Sequence, residues 1–315
     1  MFVPAYDDKS RVGAKPAGFL FSILIGGISM KLILSNKKKD VDVDSACKSD
    51  SSLLSYVVYV PGGNDTALVE KLNYIPEIRK AINDRIMSSN SSIEQVGFVE
   101  KGVLPLELIM AGGEFCANAT RSAAFYYLEG RPGTLKIKVN DDFVNAGVYE
   151  NGDAWCEIPL YYGGDVITKL KEGTYRVKMN GMVSLIINEE TSKPYLYKKE
   201  RIKEEAMLLI NNYDLGKNDA VGVMFLEREG NNLKINPIVW VKSINTLFYE
   251  TACGSGTTAA AMVQAYLNSQ NQSLEILQPS GQRITAQIEY CCGKITKARI
   301  SGAIKTDCDR KFFYI

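Results

Sequence analysis

Residues 114–128 read EFCANATRSAAFYYL, and residues 250–267 read ETACGSGTTAAAMVQAYL. Each stretch carries one cysteine, Cys116 or Cys253, immediately before small residues that lead into a helical pattern. A Thr follows each cysteine by four positions, and an Ala-Ala pair follows by seven and eight. The two copies predict two related halves of the chain, each with a thiol at the start of a helix.

The similarity between the halves continues upstream, where residues 95–100 (QVGFVE) resemble residues 220–225 (AVGVMF). Strand-like and helical segments alternate from about residue 54, and period-two strands follow each cysteine helix. We therefore expect an α+β fold of two similar domains, each a mostly antiparallel sheet or barrel around a central helix. The active site is expected in the cleft between these domains.

The first 52 residues differ in kind from the rest. Residues 17–30 (AGFLFSILIGGISM) form an apolar run, shorter than the ~20 residues that a membrane-spanning helix needs, and a polar, linker-like stretch follows. Three interpretations stay open for residues 1–52. The segment is a dispensable or artefactual, disordered extension, a signal or membrane anchor, or a packed element. The predicted domains are residues 53–165, with the first cysteine motif, and residues 166–315, with the second.

Periodicity predicts individual elements in both halves. Helices are expected near Pro76–Met87 and near Ile202–Tyr213, and the helix after the first cysteine should end near Leu128. A short strand is expected at residues 195–198, and the tail at residues 311–315 is expected to return to the sheet of the first domain.

A thiol at a helix start has a distinctive chemistry. The unpaired N–H groups and the helix dipole form an anion site and favour the thiolate, so we expect them to lower the thiol pKa. Two facing helix starts could hold an α-carboxylate while their sulfurs flank its Cα. One thiolate would remove the Cα proton, and the opposite thiol would deliver a proton to the other face. This pattern predicts Cys116 and Cys253 as a catalytic acid/base pair.

A structural role has to be weighed against the catalytic one. Cysteine is among the most often buried residues, and one cysteine beside a small-residue helix is usually part of a core. Among seven cysteines, however, only Cys116 and Cys253 share this context. Cys156, Cys291 and Cys292 lie in strand-like sequence and are expected at core or partly exposed strand positions.

Composition indicates a soluble enzyme that acts on a small molecule. The formal net charge of +1 gives no reason to expect nucleic acid or a membrane as a partner. The chain has no histidine, which excludes Ser-His and Cys-His dyads and argues against a catalytic zinc. No lysine lies in a recognisable pyridoxal phosphate context, so we expect neither cofactor nor metal. An odd number of cysteines without framework spacing indicates reduced thiols, and we expect a cytoplasmic protein.

Five motifs stand in the order and at about the spacing of the diaminopimelate epimerase fold. They are residues 63–65 (GND), 94–95 (EQ), 114–121 (EFCANATR), 250–257 (ETACGSGT) and 278–281 (QPSG). The chain resembles this superfamily, and within it the cofactor-independent histidine racemases of staphylopine-type metallophore biosynthesis. The resemblance covers roughly residues 55–315. Any one motif is weak, but five in register are specific.

The resemblance implies roles for individual residues. The two family thiols match Cys116 and Cys253. The groups that hold the α-amino acid centre match Asn64, Gln95, Ala117, Asn118, Glu250, Gly254 and Ser255. Ala117 replaces the family glycine, which is tolerable where only its N–H is used and φ is negative. A homodimer is possible.

The departures from diaminopimelate epimerases concern the distal end of the substrate. Their Glu-Arg pair is replaced by Asn245-Thr246, and two of their asparagines fall near Met110 and Ala220. The loss of the guanidinium removes a bidentate carboxylate partner. We therefore expect an amino-acid racemase with another substrate side chain, histidine first. Diaminopimelate and a hydroxyproline-type imino acid stay alternative substrates. A non-catalytic amino-acid binding protein is an alternative of another class, but the two thiols in a shared sequence context argue against it, because binding alone needs no thiols.

Overall fold

The computed structural model describes residues 53–72 and 74–314, which belong to one compact unit. The extension of residues 1–52, with its apolar run, lies outside the described residues. The described part is a mixed, strand-rich α+β fold, as predicted from the sequence. Within it, no helix is long and apolar enough to cross a membrane.

The first half of the described chain contains two helices and seven strands. In chain order these are β1 (Leu53–Pro61), β2 (Asp65–Val69), α1 (Pro76–Ser89), β3 (Ile93–Phe98), β4 (Glu107–Met110), α2 (Ala117–Leu128), β5 (Gly133–Val139), β6 (Asp142–Val148) and β7 (Ala154–Glu157). The predicted helix at Pro76–Met87 is confirmed as α1, and the first cysteine helix ends at Leu128 as predicted.

The second half contains three α-helices, a short 3-10 helix and ten strands. They are β8 (Ile167–Lys171), β9 (Thr174–Met179), β10 (Met182–Ile187), α3 (Glu189–Leu196), the 3-10 helix (Lys199–Arg201), α4 (Ile202–Asn212), β11 (Ala220–Glu229), β12 (Asn232–Val241), β13 (Thr246–Tyr249), α5 (Gly254–Asn268), β14 (Gln272–Leu277), β15 (Arg283–Cys291), β16 (Lys294–Gly302) and β17 (Ile304–Tyr314).

Two antiparallel meanders follow the cysteine helices, β5–β6–β7 after α2 and β14–β15–β16 after α5. Strand pairing also connects the two halves. β7 pairs with β16, where Cys156 lies opposite Ile300, and β17 pairs with β1, where Phe313 lies opposite Leu54. The return of the C-terminal tail to the first strand of the sheet is thereby confirmed.

Helices α2 and α5 lie in the core of the fold. α2 packs against β1, β2 and β5–β7, and α5 packs against β14–β16 and strands of the second half. Their Ala-Ala pairs are fully buried. Because alanine projects only a methyl group, the surrounding strands can approach each helix closely, and both helices contribute to one continuous hydrophobic cluster. This packing fixes where each helix begins.

The strand predicted at residues 195–198 is wrong. This segment ends helix α3 and leads into the 3-10 helix. The helix forms because the Asn188 side chain accepts a hydrogen bond from the Thr191 N–H at 3.0 Å, which caps its start. Glu189 and Glu190 in the first turn complement the helix dipole. Strands β8, β9 and β13 were not predicted.

Candidate active site

Cys116 caps the N-terminus of helix α2. Its backbone is extended, with φ −124° and ψ 113°, and its Sγ accepts a hydrogen bond from the Ala119 N–H at 3.4 Å. The Thr120 hydroxyl donates to the Cys116 carbonyl oxygen at 2.8 Å. The cysteine thus takes the capping place that Ser, Thr, Asp or Asn usually occupies, and its thiol stands beside the helix N–H groups.

Cys253 caps helix α5 with the same geometry. Its φ is −128° and its ψ is 106°, and its Sγ accepts a hydrogen bond from the Gly256 N–H at 3.3 Å. The Thr257 hydroxyl donates to the Cys253 carbonyl oxygen at 2.7 Å. The placement of both cysteines at helix starts, predicted from the repeated motif, is confirmed.

The two helix starts lie against each other. A Cβ on Gly254 would lie 3.1 Å from the Cβ of Ala117 and 2.9 Å from Asn118 Oδ1. The Asn118 side chain donates across this contact to the Ala252 carbonyl oxygen at 2.9 Å. Glycine is therefore needed at position 254, because any side chain would separate the helix starts.

A pocket opens at this contact, with a cavity volume of about 50 Å³, enough for a few water molecules. Both halves of the chain line it. Its lining residues are Asn83, Met87, Glu94, Gln95, Val96, Ala111, Glu114, Phe115, Cys116, Ala117, Asn118, Met182, Ala220, Val239, Val241, Ile244, Thr246, Phe248, Glu250, Cys253, Gly254 and Ser255.

The pocket brings together both cysteines and six of the seven predicted substrate-binding residues. Asn64 is the exception, since it is fully buried and absent from the lining. Of the four residues expected at the distal end, Ala220 and Thr246 line the pocket, whereas Met110 and Asn245 do not. Whether the lining residues contact a substrate stays a prediction.

Asn64 is hydrogen-bonded to Gln95, which in turn contacts the Cys116 thiol. The Cys116 thiol donates to Gln95 Oε1 at 2.9 Å. Gln95 Nε2 in turn donates to Asn64 Oδ1 at 2.6 Å and to Thr66 Oγ1 at 2.7 Å. These bonds fix the orientation of the Gln95 amide, so that its carbonyl oxygen faces the thiol.

Cys253 has a carboxyl as its neighbour. The Glu250 side chain interacts with the Cys253 thiol, and this interaction lowers the pKa of Glu250 and raises that of Cys253. Burial nevertheless dominates at Glu250 and raises its pKa to about 8. A carboxyl with this pKa can exchange protons near neutral pH.

The expected lowering of the thiol pKa values is not observed. Burial raises the pKa of Cys116 and of Cys253, and the Glu250 charge raises both further. The N–H groups of Ala119 and Gly256 do lower these pKa values, as helix starts should, but burial outweighs them. Burial therefore favours the thiol form of both groups.

Among the residues that the structure describes, three with carboxyl groups line the pocket, and no lysine or arginine does. Burial raises the pKa of Glu94, and it raises that of Glu114 to about 6. Glu94 accepts hydrogen bonds from the Thr251 N–H at 3.1 Å and from Asn64 Nδ2 at 2.5 Å. Neither Glu94 nor Glu114 was predicted from the sequence as a site residue. Glu94 directly precedes Gln95, and Glu114 stands two residues before Cys116.

The fifth motif supports the second helix start. Gln278 Oε1 accepts the Cys253 N–H at 3.0 Å, and Gln278 Nε2 donates to Thr257 Oγ1 at 3.0 Å. Ser280 Oγ donates to the Gly62 carbonyl oxygen at 2.6 Å. The QPSG motif thus holds Cys253 in place and ties the first and second halves together.

Three of the remaining cysteines lie elsewhere in the fold. Cys156 is fully buried on β7, as expected for a core strand. Cys291 and Cys292 are exposed at the β15–β16 turn, where Cys292 has a φ of 50°. None of these three lines the pocket.

Comparison with known proteins places the chain among racemases. A sequence model of the family described as "Histidine racemase CntK N-terminal domain" matches residues 53–313. A histidine racemase of Fusobacterium nucleatum subsp. nucleatum is 27% identical over 243 residues, covering 73% of this chain and 88% of that protein. A histidine racemase of Staphylococcus aureus is 25% identical over 245 residues, covering 73% of this chain and 86% of that protein.

Solved structures share the fold. A hydroxyproline epimerase from Agrobacterium vitis, with bound trans-4-hydroxy-L-proline, has a TM-score of 0.52 at 10% identity and covers 84% of this chain and 93% of its own. A predicted epimerase from Pseudomonas aeruginosa has a TM-score of 0.53 at 12% identity, covering 82% of this chain and 99% of its own. At this identity the likeness concerns the fold alone.

Proposed function

Because this chain belongs to the histidine racemase family and is therefore an isomerase of the racemase class, we propose that it interconverts L- and D-histidine through two thiols and without a cofactor. One observation carries the proposal. Two cysteines cap two helices whose starts touch, and both thiols line the same pocket. This arrangement supports a mechanism in which an acid and a base act on one bound carbon.

The helix starts are the proposed site of the substrate α-carboxylate. The N–H groups of Asn118, Gly254 and Ser255 belong to the first turns of α2 and α5, where backbone donors are free for an anion. As the Cα proton leaves, charge develops on the carboxylate oxygens, and fixed donors stabilise that charge most. The Cα is then held between Cys116 and Cys253.

The proposed reaction moves two protons and leaves the atoms balanced. A thiolate on one side takes the Cα proton, so a new S–H bond forms and the carbanion-like electron pair spreads onto the carboxylate. The thiol on the other side then donates its proton to the opposite face of Cα and becomes a thiolate. The product has the inverted configuration, and the two sulfurs have exchanged protonation states.

Glu250 is the proposed acceptor of the thiol proton that must leave before turnover. Its carboxyl interacts with the Cys253 thiol, and because its pKa is about 8 it becomes ionised, and so able to accept that proton, as the pH rises through 8. A substrate ammonium group beside Glu94 and Glu250 would offset the negative charge that disfavours the thiolate. Substrate binding would therefore promote formation of the base.

The proposal includes two like domains, residues 53–165 and 166–315, with the pocket in the cleft between them. The lining supports this division, because its residues fall into one set between Asn83 and Asn118 and a second between Met182 and Ser255. A homodimer and a cytoplasmic location stay predictions.

The lining argues against diaminopimelate as the substrate. A distal carboxylate would enter a pocket that carries three carboxyls and no basic side chain. Thr246 stands where the family arginine would bind that carboxylate. Burial of an anion without a partner costs several kcal/mol. We expect kcat/KM for histidine to exceed that for diaminopimelate by a hundredfold or more, at about 1.4 kcal/mol per tenfold.

Exchange of the Cα proton in deuterated water tests the function directly. Twenty L-amino acids and diaminopimelate would be incubated with the purified protein, and mass gain and chirality would be measured. We expect histidine to gain one deuterium and to racemise, with no loss of activity on treatment with a chelator. Preference for another amino acid would correct the substrate, and no exchange on any of them would refute the racemase proposal.

A further inference from the structure

One carboxyl oxygen of a pocket residue has no partner among the described residues. Glu114 Oε2 is buried, and no described residue donates a hydrogen bond to it. The N–H groups of Gly112 and Glu114 lower the pKa of this carboxyl without bonding to Oε2, and burial still raises it to about 6. Buried polar atoms in proteins nearly always have a partner. An oxygen left without one in a ligand pocket points to a donor that the ligand supplies.

The other two carboxyls of the pocket are already engaged. Glu94 accepts bonds from Thr251 and Asn64, and Glu250 interacts with the Cys253 thiol. Of the three, Glu114 is the one with a buried oxygen that has no hydrogen-bond partner among the described residues. Since none of the described residues that line the pocket is a lysine or arginine, we expect a donor for Glu114 to enter with the substrate.

The surroundings of Glu114 define what kind of group would bind there. A Cβ built on Gly112 would lie 2.5 Å from Glu114 Oε2 and 2.7 Å from Val241 Cγ1, so the carboxyl and the end of β12 face each other across this glycine. Val239, Val241, Ile244 and Phe248 contribute an apolar wall to the pocket. An apolar wall with one buried acceptor suits a compact, largely apolar side chain that carries an N–H donor.

We infer that Glu114 is a specificity-determining residue whose Oε2 accepts a hydrogen bond from a ring N–H of the substrate side chain; the inference rests on the proposed racemase function. An imidazole fits both features, since its ring carbons can contact the apolar wall while its N–H reaches the carboxyl. A five-membered ring without an N–H would leave Oε2 unpaired. Sites built to hydrogen-bond a substrate group reject analogues that lack it far more strongly than apolar pockets reject a change of size.

The test compares histidine with β-(2-thienyl)alanine, which has a five-membered ring of similar size and no N–H. Cα exchange in deuterated water would be followed for both, in the wild type, in Glu114→Leu and in Glu114→Gln. Glu289→Leu, on the exposed face of β15 away from the pocket, is the matched control. We expect the wild type and the control to prefer histidine at least a hundredfold in kcat/KM.

Glu114→Leu should reduce that preference at least about thirtyfold, through a loss on histidine and an unchanged or higher rate on thienylalanine. Glu114→Gln keeps the volume and should lower the histidine rate about tenfold, corresponding to a weaker hydrogen bond. An unchanged preference in both variants would overturn the inference, as would equal rates on both substrates in the wild type. A parallel loss on both substrates in folded variants would also overturn it, because a structural role would act on both. Failure of the proposed function is distinguishable, since the wild type would then exchange neither substrate.

Discussion

The two cysteine-capped helix starts share a geometry and differ in their chemistry. At both, the sulfur accepts a backbone N–H bond, at 3.4 Å for Cys116 and 3.3 Å for Cys253, and a threonine donates to the cysteine carbonyl oxygen. The Cys116 thiol, however, faces the neutral amide of Gln95, whereas the Cys253 thiol faces the Glu250 carboxyl. An amide can accept a hydrogen bond but cannot take the proton.

This difference separates two tasks that a symmetric site could not separate. In the proposed mechanism, the helix starts would provide equivalent positions on the two faces of a carbon, which inversion needs. The partners assign starting roles: Cys253 can pass its proton to Glu250, and Cys116 keeps its own. We infer that Cys253 is the base and Cys116 the acid in the first turnover from the resting enzyme, and that the roles alternate afterwards.

The largest expected effect is the loss of either thiol. Cys116→Ser and Cys253→Ser should each lower racemisation by about 10³-fold or more, because a serine hydroxyl is a far weaker acid and base than a thiol. Chiral chromatography of histidine would measure it, with the exposed Cys291→Ser as control. Near-normal turnover in either variant would end the two-thiol mechanism.

The next effect concerns the partners of the thiols. Because the pKa of Glu250 is raised to about 8, its carboxyl is protonated below that pH and can accept the thiol proton only above it. The wild-type kcat/KM should therefore rise through pH 8. Glu250→Gln should lower kcat/KM by about 10²-fold and remove this rise.

Gln95→Leu is the matched variant at the other helix start. It should lower kcat/KM less than Glu250→Gln does, and it should leave the rise near pH 8 in place, because Gln95 does not titrate. Titration of the substrate contributes equally to the pH profiles of the wild type, Glu250→Gln and Gln95→Leu. Its contribution therefore cancels when the profiles are compared. A rise near pH 8 that persists in Glu250→Gln would show that another group is the base.

A tenfold effect is expected in thiol reactivity. The thiolate is the nucleophile in alkylation, and burial raises the pKa of Cys116 and Cys253. With iodoacetamide at neutral pH, exposed Cys291 and Cys292 should react about tenfold faster than half-buried Cys116, and buried Cys253 should react last. Peptide mass spectrometry would give the order. Fast labelling of Cys253 in the free protein would mean that its thiolate exists before substrate binds.

The sequence was sufficient for the features that repeat. Cys116 and Cys253 could be placed at helix starts because the small residues and the Ala-Ala pairs recur at fixed spacing, and the family predicted from five motifs is confirmed. The strand predicted at residues 195–198 failed, because Asn188, seven residues earlier, caps a helix that runs to Leu196.

The differences between the helix starts could not be predicted in the same way. The helix starts alone predicted lowered thiol pKa values. Burial raises these pKa values instead, and the extent of burial depends on packing from segments that are distant in the sequence. Asn64 was expected to touch the substrate but lies behind Gln95, since its partners come from residues about thirty positions away. Glu114 stood in a quoted motif, but only the missing partner of Oε2 singles it out.

The smallest expected effect tests how firmly each helix start is held. Thr120→Val and Thr257→Val each remove one buried hydrogen bond to a cysteine carbonyl oxygen, which contributes about 1 kcal/mol to stability. Thr257 also accepts a hydrogen bond from Gln278, the residue that holds the Cys253 N–H. Thr257→Val should therefore lower the free energy of unfolding by about 1 kcal/mol more than Thr120→Val. Urea unfolding at equal protein concentration measures this difference. Equal losses would mean that Gln278 does not support Cys253 through Thr257, and that the two helix starts differ only in the groups that face their thiols.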